Sequence, residues 1–512
     1  MHNSRTYSTL LLFAGVIFMC FFRLGSFTLF DVDEAVFAEA TKEMVQSGDW
    51  ITPTYDGENR YDKPIFFYWM MAASYKIFGI NEFAARFPSA LLGILLCVAV
   101  YFFVKYLHDE KKAFYAVVSL AATIFFVAYS HAAVTDMALT FFITLSLFSF
   151  YLSLRKEKFI YGFYVFSALA FLTKGLIGII LPLAIASIYL LITGGLKSVN
   201  KLFNLKAILL FFAVSAPWYV AETVVNGREF IQQFFIKHHF ARYTSVISGH
   251  KGPVYYYIPV LLAGLFPWIV FLPAGLRNTF KENKDMGLFA IIWFAVIFLF
   301  FSFSVTKLPD YVLPAVPAAS IIIAAGMSFG NARWRKYTNI CIAGISLLIG
   351  VAFIISKKYL LKFGIHDTDW IFWAAAIMAM TALASLHAAF AKKISYVIMS
   401  CMMFLFLFTL SVKALPVVNQ RLQGTLYKYS LYAKDRLGHR EKIIEYRINN
   451  PSVVFYSGLE VMNIGNKKEL SSYIASGKGR IAIAKVKDIE VLKNMNFNVI
   501  ESDGTYAILE RQ

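Results

Sequence analysis

Charge is scarce in this chain. Acids number 31 against 49 lysines and arginines, and together they make up only 16% of 512 residues. With 59% hydrophobic content and a mean hydropathy of +0.61, an ordinary soluble fold is excluded, because it could not hide that much apolar surface. Cysteine is almost absent. Cys20, Cys97, Cys341 and Cys401 lie far apart in apolar runs, a pattern that fits neither a metal site nor a disulfide framework. His238, His239 and His250 form no HxxxH-type zinc pattern, and interfacial packing is their simplest role. Internal repeats and low-complexity tracts are missing as well. The net charge of +18 need not imply nucleic acid, since membrane chains concentrate Lys and Arg in cytoplasmic loops.

What is present is a series of apolar runs. They recur at 7–24, 84–107, 112–130, 137–154, 159–173, 175–193, 207–222, 253–273, 287–305, 311–329, 337–355, 370–391 and 394–412, about thirteen candidate spans. The first has no small-residue cleavage site after it and reads as a retained span. With the N-terminus inside, Lys111/Lys112, Arg155/Lys156/Lys158, Lys197/Lys201/Lys206, Arg277/Lys281/Lys284, Arg333/Arg335/Lys336 and Lys392/Lys393 all fall in cytoplasmic loops. Only Lys357, Lys358 and Lys362 sit awkwardly outside. The expected architecture is an α-helical polytopic membrane domain over 1–415, with an external loop at 25–83 that holds juxtamembrane helices. A small extracytoplasmic α/β domain follows at 416–512, with strands at Val453–Tyr456, Arg480–Lys485, Asn498–Glu501 and Thr505–Glu510 and helices near Lys467–Ser476 and Val486–Asn494.

The same charge count places the chain's polar anomalies on the outer face. The first loop, Asp31 to Gly79, opens a helical pattern at Asp33-Glu34 with Asp31 as its expected N-cap. It turns at Asp56-Gly57 and starts a second apolar helix, Ile65 to Phe78, after Lys63-Pro64. An isolated DE pair at a helix start is usually a dipole partner. Beside hydrocarbon, however, a carboxylate is expensive, and one with a raised pKa suits a general base. Asp136 opens a span at the same face, where an N-cap role competes with a functional one. Lys63, Lys174, Arg242 and Lys307 are external cations at span ends. Each could simply snorkel, whereas a group of them around one cleft would grip phosphate. Prolines 309, 314 and 317 imply irregular backbone in a span opening, tolerated only under protein or water cover.

These residues resemble a known family. DVDEAVFAEATKEMVQSGDWITPTYDGENRYDKPIFFYW looks like the first external loop of GT-C fold membrane glycosyltransferases. More narrowly, it resembles the bacterial branch that groups protein mannosyltransferase-like enzymes with the aminoarabinose transferase of lipid A. Further matches, in order, are Thr135-Asp136, Leu172 to Gly175, Ala216 to Tyr219, His239 to Tyr243, His250 to Pro253, Pro267-Trp268 and Thr306 to Pro309. The resemblance covers about 1–330 well, and the rest by architecture only.

It implies inverting transfer of a sugar, hexosyl or pentosyl, from a polyprenyl-phosphate donor to a lipid A-like or other glycolipid acceptor. The site would lie at the outer face of a bacterial inner membrane, among membrane lipids. By the same resemblance Asp33, with Glu34 and Asp136, would be catalytic. Lys63, Arg242 and Lys307 would hold the donor phosphate, and Tyr61, Lys174, His239, Asp310 and Tyr311 are further substrate-contact candidates. No cofactor is implied, and a divalent cation is compatible with the acids. Asp310 and His238 depart from the pattern, standing where relatives often carry histidine and glutamate, which leaves sugar and acceptor open. Transfer to protein Ser/Thr is the alternative within the family. A lipid flippase or transporter is the alternative outside it, but that class would place acids near the midplane in related halves.

Overall fold

The computed structural model describes residues 2–234, 252–282, 284–328, 332–362, 365–390, 396–438 and 440–511. Nine helices among them are long and apolar enough to cross a membrane, from Glu82–Leu107 to Tyr396–Arg436. Two bent pairs, Glu110–Ala121 with Ile124–Ser130 and Val254–Gly264 with Trp268–Thr279, bring the number to as many as eleven. The remaining two apolar runs form shorter helices, Tyr7–Phe21 and Phe159–Lys174. Each expected run is therefore helical over its described residues, among which the count of full-length spans is nine to eleven rather than thirteen. The difference lies in helix length, which composition does not fix. The chain is a multi-pass membrane protein.

It folds as two compact units. The first comprises Met1–Phe22, Tyr61–Phe67 and Phe87–Ala414; the second comprises Arg23–Arg60, Tyr68–Arg86 and Leu415–Gln512.

The first unit is packed by aromatic side chains, such as the stacked pair Phe103 and Phe148, 3.7 Å apart. At its helix breaks, carbonyls that lose helical partners find others, as an apolar surround demands. The fully buried Trp268 donates its indole N–H to Ala122 O at the first bend, 2.9 Å away. The buried Trp293 does the same for Pro314 O, also at 2.9 Å. Proline-rich Pro309–Ala315 is a 3-10 turn that leads into the helix Val316–Met327, the irregular opening that its three prolines imply.

In the second unit, helix α2 (Asp33–Ser47) follows α1 (His2–Phe21) of the first, and strands β1 (Thr54–Tyr55) and β2 (Glu58–Asn59) form a hairpin. Its turn is Asp56-Gly57, with φ of 55° and 76°, the left-handed pair a tight hairpin requires. Helix α3 (Phe66–Phe78) comes next. Strands β3 (Ile443–Tyr446), β4 (Val461–Ile464), β5 (Ile481–Lys485), β6 (Phe497–Ser502) and β7 (Tyr506–Arg511) make one sheet in the order β4-β3-β5-β7-β6. β3 runs parallel to β4 and β5, while β7 is antiparallel to β5 and β6. Ile443, Ile481, Ile483 and Ile508 build a core on one face, and Ile444, Tyr446, Ala482 and Leu509 build one on the other.

Two local expectations fail. Val453–Tyr456 is not a strand but part of the helix Pro451–Ser457, which proline opens and left-handed Gly458 closes. Asp31 does not cap α2, whose N-cap is Val32. Its carboxylate is drawn instead to Ser452.

Burial pushes three carboxyls of this unit upward: Asp31 and Asp56 to about 6, and Glu445 to about 8. A carboxyl raised on folding binds more protons folded than unfolded. Its contribution is complete below the ordinary range near 4 and is lost as pH rises through the folded value. The thermal midpoint of the full chain in detergent is therefore expected to fall between pH 6 and pH 9. Glu445→Gln should flatten that slope and raise the midpoint by a few degrees at the alkaline end. An unchanged slope would remove Glu445 as its source.

Candidate active site

Candidate residues occur in each unit. In the second, Asp33 is exposed at the head of α2, while its neighbour Glu34 is 6% exposed. Glu34 accepts Arg86 Nε at 3.0 Å and Arg86 Nη2 at 2.8 Å, and the Phe30 N–H at 3.0 Å. Arg86, wholly buried, sends its other N–H groups to the carbonyls of Leu24 at 3.1 Å, Phe27 at 2.9 Å and Thr28 at 3.1 Å. Every donor of the guanidinium fork is used, and its plane lies 4.1 Å from the Phe27 ring centre. Glu34 thus shapes the loop, and Asp33 is left as the solvent-facing acid of the pair.

In the first unit, Asp136 opens the helix Asp136–Ser153 and Lys174 closes the helix Phe159–Lys174. The Lys174 ammonium donates to Asp136 Oδ1 at 2.5 Å and to Asp310 Oδ2 at 3.3 Å, and it sits 5.4 Å from the Tyr311 ring centre. The side chains are 11%, 9% and 15% exposed for Lys174, Asp136 and Asp310, so the triad is dry but still reachable. Lys63 lies within electrostatic reach of Asp136. Tyr61 is buried with its ring 5.8 Å from that of Phe230.

Lys307 is enclosed by backbone carbonyls. Only 4% exposed, it donates to Ser304 O at 2.7 Å, Ser302 O at 2.8 Å and Phe301 O at 3.2 Å. It thereby satisfies the carbonyls that the helix Lys284–Phe303 leaves at its end, where a cation also suits the dipole. Arg242, His238, His239 and His250 lie outside the described residues. Among the described residues, no three His, Cys, Asp or Glu side chains gather as a metal site.

A family model described as dolichyl-phosphate-mannose-protein mannosyltransferase matches residues 62–220. An uncharacterized protein of Aquifex aeolicus is 33% identical over 349 residues, 67% of this chain and 79% of that one. The undecaprenyl phosphate-alpha-4-amino-4-deoxy-L-arabinose arabinosyl transferase 1 of Proteus mirabilis is 28% identical over 373 residues, 71% of this chain and 68% of that protein. The crystal structure of ArnT from Cupriavidus metallidurans bound to undecaprenyl phosphate superposes with a TM-score of 0.84 at 20% identity, covering 98% of this chain and 97% of that one. The chain has the GT-C fold. It spans 63% and 60% of the length of two other curated relatives, from Aquifex aeolicus and Aeromonas hydrophila.

For a GT-C chain the candidate set is partly assembled. Asp136, Lys174, Asp310 and Tyr311 are gathered, with Lys63 nearby. Arg86 is the residue that sequence reasoning missed. The available signal was an arginine inside an apolar run, which must find a buried anion.

Removing one member of a buried ion pair costs about 3–5 kcal/mol. Arg86→Met should therefore lower the thermal midpoint and the yield of folded protein. Arg86→Lys should rescue little, since an ammonium has three donors where the fork has five. Arg86→Met with Glu34→Leu should recover part of the loss. A wild-type midpoint for Arg86→Met alone would show that the pair is dispensable.

Proposed function

We propose that this protein transfers a sugar from a polyprenyl-phosphate carrier to a lipid A-like acceptor, with inversion, at the outer face of the inner membrane. By the relatives' names the donor sugar is an amino-deoxypentose. The observation that carries the mechanism is the division of labour in the first loop: Glu34 is consumed by Arg86, while Asp33 stays exposed at the head of α2.

The acceptor oxygen attacks the anomeric carbon as the bond from that carbon to the carrier phosphate oxygen breaks, releasing the polyprenyl phosphate. An acceptor hydroxyl gives its proton to the Asp33 carboxylate. An acceptor phosphate is already an anion, and then Asp33 orients it and stabilises the oxocarbenium-like centre. The departing phosphate needs cations that act more strongly in the transition state than before it. Lys63 and Arg242 fill that role in this scheme. Lys307, its protons committed to three carbonyls, holds the irregular backbone instead. The Asp136–Lys174–Asp310 triad supports the acceptor side in this scheme.

With purified donor and lipid acceptor, Asp33→Asn should abolish transfer while insertion and folding survive. Asp310→Asn should keep the fold but lower transfer about ten-fold or more, as loss of one charge-assisted contact of roughly 1.5–3 kcal/mol implies. Near-normal transfer by a well-expressed Asp33→Asn protein would sink the mechanism. Transfer to Ser/Thr of a peptide but not to lipid would replace the acceptor assignment.

Orientation has its own test. Cysteines placed at Asn59 and Gly504 should react with an impermeant thiol reagent from outside, and one at Lys281 should not. Labelling of the last in intact spheroplasts would overturn the external site.

A further inference from the structure

Asp31 stands two residues before Asp33, in the turn that leads into α2, and groups from far along the chain surround its carboxylate. Ser452 donates its backbone N–H to Oδ1 at 2.7 Å and its hydroxyl to Oδ2 at 2.6 Å. With its amide nitrogen facing the carboxylate, Gln423 donates to Oδ2 at 2.9 Å and accepts the Asp31 N–H at 3.0 Å. The helix Pro451–Ser457 takes no side-chain cap from its own Asn450, so Asp31 of the first loop supplies one.

The flanking residues are tied to the same segment. Thr28 donates its N–H and hydroxyl to Asn419 Oδ1, at 3.2 and 2.9 Å, and accepts the Asn419 amide at 2.9 Å. The Leu29 N–H meets the Tyr456 hydroxyl at 2.8 Å, and Lys42, on α2, reaches Phe455 O at 3.3 Å. The loop is therefore gripped on both sides of Asp33. A general base must sit within hydrogen-bond reach of the proton it takes, and a misplacement of 1 Å can cost about 100-fold.

We propose that Asp31, held by Ser452 and Gln423, is a positioning residue for sugar transfer, so that the C-terminal α/β segment sets the placement of Asp33. This rests on the reading of Asp33 as the catalytic carboxylate. It gives that segment a part in the reaction that its own residues do not perform by touching substrate.

The test uses the full-length protein in detergent with purified polyprenyl-phosphate sugar and lipid acceptor. Ser452→Ala combined with Gln423→Leu should lower kcat about 10- to 100-fold with donor KM nearly unchanged. Amide exchange should quicken over residues 28–36 while the sheet keeps its protection. Ser452→Thr, which preserves both donors, should restore the rate, and Glu501→Gln, on an exposed stretch of β6, should match wild type. A wild-type kcat in the double variant overturns the proposal while Asp33→Asn remains inactive. Loss of exchange protection throughout the sheet, with kcat and KM changing together and no rescue by threonine, overturns it as a merely structural contact. An active Asp33→Asn protein removes the catalytic reading itself, and the latch then has nothing to position.

Discussion

A guanidinium sealed away from water is the constraint on which the loop's shape depends. Arg86 cannot lose its proton, and burying it without partners would cost several kcal/mol. Its fork is planar and fixed, so the partners must come to it: three carbonyls between Leu24 and Thr28, and both oxygens of Glu34. That demand bends residues 24–30 around one point and anchors the first turn of α2. Because Glu34 is pinned, the next residue back along the turn, Asp33, points elsewhere, and it is exposed. The DE pair is thus one acid spent on architecture and one left facing solvent.

Elsewhere the same accounting of polar groups explains features that look functional at first. Lys307 carries a family motif and sits at a span end, yet its ammonium completes a helix terminus. Trp268 and Trp293 each close a gap in a broken helix. Lys174 differs from these, because its partners are two carboxylates rather than carbonyls. Its partners lie on separate elements and come together away from any break in a helix, which is why that triad belongs to the candidate site.

Much of this was legible in the sequence. Apolar runs are long and sharply bounded by charge, so all of them appear as helices, and the Asp56-Gly57 turn announces itself through two residues that tolerate positive φ. The misreadings have physical causes. Val453-Val454-Phe455-Tyr456 has strand composition, but Pro451 and Gly458 frame it too closely for anything but a short helix. Ile443–Tyr446 escaped notice because both faces of β3 are covered, which erases the alternation of a half-buried strand. The pairing of Asp31 with Ser452, 421 residues apart, has no local signature at all. Asp33, Asp136, Lys174 and Asp310 were singled out through motifs, Arg86 carried only the weaker signal of a cation inside an apolar run, and Gln423 needed coordinates.

That sequence separation also bears on how the protein is made. Glu34 and Arg86 are 52 residues apart and can meet while the next spans are still being inserted. Ser452 leaves the ribosome 421 residues after Asp31, a delay of roughly 20–80 s at ordinary elongation rates of 5–20 residues per second. Throughout that interval the first loop has its internal brace but lacks its outer partner. A nascent or prematurely terminated chain would carry every motif of a glycosyltransferase with the acid-bearing turn still unclasped. Synthesis as far as Ser452 is then built into the polypeptide as a condition for the turn's final arrangement.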